Sequence, residues 1–322
     1  MKKGQIGIEL GTKHLRICTR EKEQFLRLKN VIAIDQQMHV AATGNEAFLM
    51  YEKEPHEIQI ITPMTHGVIG DYTNMRLLLT TVFAKYFRRF KKYKVCIAAP
   101  SDITGVEKRA FYDLVWESAG RIKEVRLLAK PMLDAIGAGL NVYEPCGNMM
   151  IDFGADTTEI SVISLGGIVR SRLLKYGGNQ IDQWIISKMK RGYNIDIGQK
   201  TAERLKIQYS KNEEEKNALI KGRDLVTGLP KKMSVPASIP EEKVRDYIYE
   251  VMLEAKGILE VIPPELASDI MVNGIYITGG GASFQTIKPW MEEELKIPVH
   301  LGQQPEDSVI RGLKALMMNE SK

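Results

Sequence analysis

The sequence predicts an α/β fold of two similar lobes, each a mixed sheet flanked by helices. Segments typical of strands alternate with segments typical of helices along most of the 322 residues, and such alternation is characteristic of α/β domains. A chain of this length commonly divides into two lobes rather than forming one core. An apolar hairpin pattern at residues 149–176 repeats the one at residues 4–20, which indicates an internal duplication.

Local patterns place the elements in order along the chain. Strands are expected at residues 4–10, 14–20, 95–99, 149–162 and 168–176, with a short strand and turn at 222–230. Helices are expected at residues 74–90, 104–119, 131–140, 179–192, 199–210 and 241–261. Ser101 or Thr104, ahead of Glu107, can cap the second of these helices. Pro263 and Pro264 end the last one.

Composition excludes several classes of protein. The chain has 45 basic and 40 acidic residues, and its formal charge of +5 is too small to indicate a nucleic-acid partner. Cys18, Cys96 and Cys146 lack the spacing of metal ligands and are expected to be reduced thiols. Glu9 interrupts the apolar stretch near the N-terminus, no cleavage-site pattern follows, and no run is long enough to span a bilayer. We therefore expect a cytoplasmic protein that binds no nucleic acid.

Three apolar runs end in tight glycine turns, at residues 6–12, 150–158 and 274–282. Such turns present backbone N–H groups to phosphate without interference from a Cβ atom. Glu9 and Asp152 lie just upstream of two of the turns, where a divalent metal ion would fit between protein and nucleotide. Each turn alone has an ordinary explanation, either a hairpin turn or a strand-to-helix turn. Together they indicate one nucleotide held between two similar halves.

Eight segments keep the order of a known set of motifs. They are residues 7–12, 63–72, 131–140, 163–169, 201–206, 222–230, 263–270 and 278–281. These segments resemble those of the bacterial actin homologue MreB and its relatives, within the actin, Hsp70 and sugar-kinase superfamily. The segments at 222–230 and 263–270 resemble MreB in particular. The resemblance covers nearly the whole chain.

The resemblance implies the actin-like fold, a duplicated ribonuclease H-like architecture with four subdomains. Subdomain IA would comprise residues 1–28, 67–140 and 300–322, and subdomain IB residues 29–66. Subdomain IIA would comprise residues 141–176 and 245–299, and subdomain IIB residues 177–244. ATP or GTP would bind with Mg²⁺ in the cleft between the lobes.

The resemblance also implies a cellular role. Proteins of this kind polymerise head to tail into filaments that organise cell-wall synthesis and so determine cell shape. The implied partners are further copies of the chain, MreB paralogues and the membrane-bound elongation proteins MreC, MreD and RodZ. The implied location is the cytoplasm, peripheral at the inner face of the cell membrane.

The resemblance also implies which residues form the nucleotide site. Gly11-Thr12 and Gly154-Ala155 would clamp the β- and γ-phosphates from opposite lobes, and Glu203 and Lys206 would hold the ribose or the purine edge. As an alternative, the last two are simply a solvated ion pair. The full expected nucleotide-binding set is Gly11, Thr12, Lys13, His14, Gly154, Ala155, Asp156, Thr157, Glu203, Arg204, Leu205, Lys206, Gly279, Gly280, Gly281 and Ala282. Glu9 and Asp152 would hold Mg²⁺ through water.

One departure from the family concerns catalysis. The family has a glutamate before the proline of the 131–140 motif, which orients the attacking water, and this chain has Lys130 there. A charged lysine only donates hydrogen bonds and cannot accept a proton from water. Lys130 either caps an exposed loop or attracts the γ-phosphate. Asp134, one helical turn later, either pairs with Lys130 or replaces the missing carboxylate.

Other departures fall in the phosphate turns. Asp156 stands where the family has glycine, and a carboxylate beside phosphate is repelled. Its side chain must point away, be screened by Mg²⁺, or weaken binding. Lys13 and His14 replace smaller residues, and Glu9 replaces an aspartate.

These departures leave open whether the chain is an enzyme. The main hypothesis is a filament-forming protein that binds nucleotide weakly and hydrolyses it slowly or not at all. The alternative is a non-hydrolysing scaffold or regulator that co-assembles with an active paralogue. A small-molecule kinase is disfavoured, because the sequence supplies no evident substrate pocket.

The segment at residues 86–94 mixes aromatic residues with cations at the end of an expected amphipathic helix. Such a patch favours insertion of Phe87 and Phe90 beside anionic lipid headgroups. The alternative interpretation is a pair of core aromatic residues followed by a solvated basic turn.

Overall fold

The computed structural model describes residues 4–87, 92–120, 122–211 and 216–319. Within them the strands are β1 (Gly4–Leu10), β2 (His14–Thr19), β3 (Leu26–Lys29), β4 (Ile32–Asp35), β5 (Val40–Thr43), β6 (Ile58–Ile61), β7 (Met64–Thr65), β8 (Val68–Ile69), β9 (Tyr93–Ala99), β10 (Ile122–Ala129), β11 (Asn148–Phe153), β12 (Thr158–Ser164), β13 (Gly167–Leu174), β14 (Ile195–Asp196), β15 (Asn217–Asp224), β16 (Pro230–Pro236), β17 (Ile275–Thr278) and β18 (Val299–Leu301). The helices are α1 (Asn45–Met50), α2 (Tyr72–Tyr86), α3 (Gly105–Ser118), α4 (Lys130–Ala138), α5 (Gly178–Tyr193), α6 (Gln199–Ser210), α7 (Glu241–Leu259), α8 (Pro264–Asn273), α9 (Ile287–Leu295) and α10 (Ser308–Asn319).

The first lobe is built on a five-stranded mixed sheet in the order β10-β9-β1-β2-β3. Strand β1 is parallel to β9 and antiparallel to β2. Ile6 and Ile8 face a core shared with helices α2 and α3. On the other face, Leu133 of α4 and Leu313 of α10 pack against Cys18. Helices on both faces explain why β1 is buried along almost its whole length.

The second lobe repeats this arrangement, with a five-stranded sheet in the order β13-β12-β11-β17-β18. Strand β11 corresponds to β1, because it is antiparallel to β12 and parallel to β17. Its core includes apolar residues of α5, α7 and α9. The matching strand order of the two sheets confirms the predicted duplication.

Two smaller sheets extend the lobes. One has the order β5-β4-β6 and lies against α1, and the other has the order β14-β15-β16 and lies against α6. Both occur in chain segments that were predicted as separate subdomains. The exact subdomain boundaries stay a prediction.

Local sequence patterns predicted the start of α3 correctly and placed the end of α2 too late. Thr104, and not Ser101, caps α3: its Oγ1 accepts a hydrogen bond from Glu107 N at 3.2 Å, and Glu107 Oε2 accepts one from Thr104 N at 2.7 Å. Helix α2 ends at Tyr86, before the predicted end at residue 90. None of the helices formed by the described residues is long and apolar enough to cross a membrane.

Candidate functional site

The three glycine turns follow the carboxyl ends of β1, β11 and β17, and residues of the first two turns contact the opposite lobe. The first joins β1 to β2, the second joins β11 to β12, and the third follows β17. Because β17 is parallel to β11, their carboxyl ends meet at the same edge of the second sheet. The second and third turns therefore lie at the same edge of the second sheet.

The first turn is fixed by a buried asparagine that the sequence analysis missed. Gly11 N donates to His14 O at 3.0 Å, and the fully buried Asn30 donates from Nδ2 to Gly11 O at 2.8 Å. The N–H groups of Thr12 and Lys13 have no acceptor in the described part of the chain. Burial, and then the neighbouring cations, lower the pKa of His14 to about 3, so its imidazole is neutral. The turn thus offers free donors to an anion.

The second turn has the same form. Gly154 N donates to Thr157 O at 2.9 Å, while the N–H groups of Ala155 and Asp156 have no acceptor among the residues described. The Asp156 side chain points across to the first lobe, where its Oδ2 accepts a hydrogen bond from His66 N at 2.6 Å. Of the three alternatives for Asp156, the structure supports a carboxylate that turns away from the phosphate position.

The third turn is shaped by close backbone contacts. Gly279 has φ +79°, and a Cβ atom there would lie 2.2 Å from Asp152 Oδ1. A Cβ atom on Gly281 would lie 2.6 Å from Phe153 Cβ, whereas Gly280 faces open space. Ala282 is buried. Two of the three glycines are therefore required by packing against the end of β11, and Gly280 leaves room for a ligand.

Residues predicted on helix α6 are engaged with protein partners. Glu203 forms an ion pair with Lys13 of the first lobe. Burial alone would raise the pKa of Glu203, but the Lys13 ammonium outweighs it and the pKa is lowered. Lys206 lies 2.7 Å from the buried Asp182. The solvated-pair interpretation is thus wrong, because each residue has a different partner. Contact of either with ribose stays a prediction.

Two members of the predicted set point elsewhere. The side chain of Leu205 lies in the core of the second lobe. Arg204 is exposed, and its Nη2 donates to Leu219 O of β15 at 3.2 Å. A nucleotide contact by either of these residues stays a prediction.

The tips of the lobes also touch. Lys200 Nζ donates to Phe48 O at 2.8 Å and to Tyr51 O at 2.7 Å. These carbonyls lie at the C-terminal end of α1, where a cation is favoured. Lys200 therefore closes the cleft from the second lobe onto the first.

The interpretation of Lys130 as the cap of an exposed loop is wrong. Lys130 begins α4, its side chain is 20% exposed, and its Nζ forms an ion pair with Asp152 of the other lobe. Burial alone would lower the pKa of Lys130, but the Asp152 and Glu159 carboxylates reverse this and raise it above its ordinary value. Lys130 is a permanent cation placed between the two lobes.

Asp134 forms no ion pair with Lys130 within the described structure, although both line one small cavity. Its two carboxyl oxygens accept hydrogen bonds from Thr278 Oγ1 and Ser308 Oγ, and the residue is 1% exposed. Burial raises the pKa of Asp134 to about 8. The predicted pairing with Lys130 is therefore wrong, and the role of Asp134 as a replacement carboxylate stays a prediction. In this structure its hydrogen bonds join α4, β17 and α10.

The predicted metal ligands are occupied by cations of the protein. Asp152 pairs with Lys130, and Glu9 Oε1 lies 2.9 Å from Arg16 Nη1. Nowhere in the described residues do three or more side chains of histidine, cysteine, aspartate or glutamate form a group able to hold a metal ion. Because both predicted carboxylates are already paired with cations of the protein, this donor set does not fit a magnesium ion.

Of the two predicted membrane residues, Phe87 contacts the core. Its ring lies 5.3 Å from Phe83 and 5.9 Å from Tyr93, centroid to centroid. This supports the alternative interpretation for Phe87. Phe90 lies outside the described residues.

Two sheets of matching strand order, linked by ion pairs between the lobes, define an actin-like fold. The family model described as MreB/Mbl protein matches residues 3–322, and the chain belongs to this MreB/Mbl family of cell shape-determining proteins. It is 37% identical over 323 residues to cell shape-determining protein Mbl of Bacillus subtilis (strain 168), covering 98% of this chain and 96% of Mbl. It is 34% identical over 319 residues to MreB of Escherichia coli (strain K12), covering 95% and 91%.

Solved structures agree. The crystal structure of MreB5 of Spiroplasma citri bound to ADP matches with a TM-score of 0.93 at 31% identity, covering 100% of this chain and 98% of that one. The same protein bound to AMPPNP matches with a TM-score of 0.92 at 30% identity and the same coverage. The resemblance to MreB and the predicted fold class are both confirmed.

Proposed function

We propose that this chain binds an adenine nucleotide between its lobes and, in that closed form, assembles with further copies of itself into filaments. ATP and ADP are the expected ligands because S. citri MreB5, at 31% identity, was crystallised with ADP and also with AMPPNP. GTP is the competitor against which this preference is tested.

The observation that carries the proposal is the pair of matching turns on opposite lobes. In each turn the glycine N–H donates to the carbonyl of the residue three positions later, which is His14 for Gly11 and Thr157 for Gly154. The next two N–H groups of each turn have no acceptor in the described structure. Unpaired N–H groups at a tight turn form a concave site for an anion. Two such sites facing one cleft suit a chain of phosphates that both lobes hold together.

We further propose that hydrolysis is slow or absent. Orienting a water for attack on the γ-phosphate requires an acceptor, and Lys130 supplies only donors. Asp134 is buried and bonded to two hydroxyl groups, so it does not replace the missing carboxylate. Asp152 is held by Lys130.

Calorimetry and a phosphate-release assay test these two proposals separately. Titrations of the purified chain with ATP and with ADP should each show one nucleotide bound per chain. The titration with GTP tests the preference for adenine. Phosphate release should stay near the uncatalysed background. Absence of heat with all three nucleotides would refute nucleotide binding, and turnover equal to that of B. subtilis Mbl assayed in parallel would refute slow hydrolysis.

In the cell, we propose a cytoplasmic filament at the inner face of the membrane that organises wall synthesis. MreB paralogues, MreC, MreD and RodZ are the proposed partners, by resemblance to the family. Because Phe87 packs against Phe83 and Tyr93, we assign any lipid contact to Phe90 instead. Co-sedimentation with anionic liposomes should weaken in Phe90→Ala, and unchanged binding would remove this residue from the proposal.

The second candidate function is a non-hydrolysing scaffold that co-assembles with an active paralogue. Lys130 in place of the family glutamate favours it. Electron microscopy of the protein alone with ATP separates the two candidates. Filaments support the first, and filaments that form only after an active paralogue is added support the second.

A further inference from the structure

The cation at the centre of the cleft is part of the chain itself. Lys130 Nζ forms an ion pair with Asp152 Oδ2 across the two lobes. Glu159 lines the same small cavity as Lys130 and Asp152, and the buried carboxylates of Glu9 and Glu159 both act electrostatically on Lys130. One oxygen of each, Glu9 Oε2 and Glu159 Oε2, has no hydrogen-bond partner within the described structure. Lys130 is therefore the cation on which these acidic side chains converge.

Each of these carboxylates is also fixed in place by another group. Glu9 Oε1 is 2.9 Å from Arg16 Nη1. Glu159 Oε1 accepts hydrogen bonds from the N and Oγ of Ser101 at 2.9 and 2.8 Å. Their positions are thus set by the fold and do not depend on a bound ion.

A magnesium ion and this ammonium exclude each other. Mg²⁺ demands nearly ideal octahedral coordination by oxygen, usually with several waters and one or two carboxylates. Binding it at Asp152 would require Lys130 to leave, and would place two cations side by side in a partly buried site, where charges interact strongly. The ammonium, in contrast, is compact and carries three N–H donors. With one donor directed at Asp152, others stay available for a phosphate oxygen.

We propose that Lys130 is a tethered cation that takes the place of magnesium, so that this chain binds its nucleotide free of divalent metal. The inference rests on the proposed nucleotide site and deepens it by naming the ionic form of the ligand. That form is the metal-free nucleoside di- or triphosphate. Magnesium bound to the phosphates competes with Lys130 for the same oxygens and weakens binding.

Calorimetry with ATP and ADP tests the inference, either in saturating magnesium chloride or in excess EDTA. The wild-type protein should bind in EDTA at least as tightly as in magnesium, with dissociation constants within about threefold or favouring EDTA. Lys130→Glu, which restores the family residue and frees Asp152, should reverse this order and bind at least about tenfold more tightly with magnesium. Lys130→Met, of similar length without charge, should lose affinity in EDTA.

Lys256→Glu is the matched control. Lys256 makes the same kind of charge pair, 3.0 Å from Glu294, but on the exposed surface of the second lobe. It should leave the order of the wild-type affinities unchanged. Thermal unfolding followed by circular dichroism establishes that each variant is folded. The wild-type comparison between EDTA and magnesium decides the matter even where Lys130→Glu does not fold.

Manganese binding gives a second readout that does not depend on affinity. Electron paramagnetic resonance of free Mn²⁺ should show no stoichiometric uptake by the wild-type protein with ADP, and uptake of one ion by Lys130→Glu. Wild-type binding that requires magnesium, or one Mn²⁺ bound per wild-type chain, would overturn the inference while leaving nucleotide binding intact. No binding in either buffer would instead refute the proposed function itself.

Discussion

The buried ion pair of Lys206 and Asp182 supports the second glycine turn, and its removal is a quantitative test of the proposed site. Lys206 Nζ lies 2.7 Å from Asp182 Oδ1 and donates to Gly178 O at 2.6 Å. Gly178 N donates in turn to the carbonyl of Gly154 at 3.1 Å. The side chains of the pair are only 10% and 1% exposed.

Lys206→Met leaves the Asp182 carboxylate buried without its cation. Breaking one partner of a buried ion pair costs about 3–5 kcal/mol of the free energy of unfolding. Replacing both charges, in Lys206→Met with Asp182→Leu, should recover most of that loss, because apolar replacement of a whole pair is often neutral. Lys188→Met breaks an exposed pair with Glu242 and should cost less than about 1 kcal/mol.

The pH dependence of the loss has a definite sign. Burial already raises the pKa of Asp182 in the folded protein, in spite of Lys206, and removing Lys206 raises it further. The folded state then keeps a proton that the unfolded state releases. Because the pKa of Asp182 is already raised in the wild type, the cost of Lys206→Met is small below that wild-type folded pKa. It grows by about 1.4 kcal/mol per pH unit from there up to the higher folded pKa of the variant.

Urea unfolding followed by circular dichroism, at pH 5 and pH 8, measures these differences. Lys206→Met should be destabilised far more than Lys188→Met, and more at pH 8 than at pH 5. Equal losses in the two variants, or a loss that does not grow with pH, would refute the reasoning.

Three other substitutions test further contacts of the cleft. Gly279→Ala should lower nucleotide affinity at least about tenfold in calorimetry, because the new Cβ would lie 2.2 Å from Asp152 Oδ1 in a backbone with φ +79°; unchanged affinity would contradict the close approach. Asn30→Ala removes the hydrogen bond to Gly11 O and should lower the free energy of unfolding by about 1–3 kcal/mol, measured in urea; a change near zero would mean that the turn holds its shape without it. Lys200→Met removes the hydrogen bonds across the lobe tips and should speed release of a fluorescent ADP analogue several-fold in stopped-flow experiments, whereas an unchanged rate would show that the tips do not hold the cleft closed.

The fold could be predicted from the sequence because its signals are local and repeated. The first hairpin closes at Gly11, and Thr104 caps α3 through the expected capping box. The second hairpin repeats the first in the same position of a matching sheet. Local hydrogen bonding and strand patterning determine each of these features, so sequence reasoning reached them.

The partners of the charged side chains in the site could not be predicted, because those partners are distant in sequence. Glu203 and Lys206 lie three residues apart and suggested a joint role, yet Glu203 pairs with Lys13 and Lys206 with Asp182. Asp156 was recognised as anomalous, but its partner His66 is 90 residues away.

Asn30 and Arg16 were missed altogether. Arg16 lies between Leu15 and Ile17, and Asn30 directly precedes the apolar run at residues 31–34; this was the available signal that both are buried. Such a residue requires a partner inside the protein. The sequence alone did not identify those partners as the Gly11 carbonyl and the Glu9 carboxylate.

Hydrogen–deuterium exchange of the backbone amides tests the central claim most directly, that the two lobes grip one nucleotide together. Peptides covering residues 11–13 and residues 154–156 should be read with and without ATP. The account predicts that exchange slows in both turns, with the same dependence on ATP concentration, because the free N–H groups of each turn bond to the same ligand. Protection confined to one lobe, or absent from both, would contradict it.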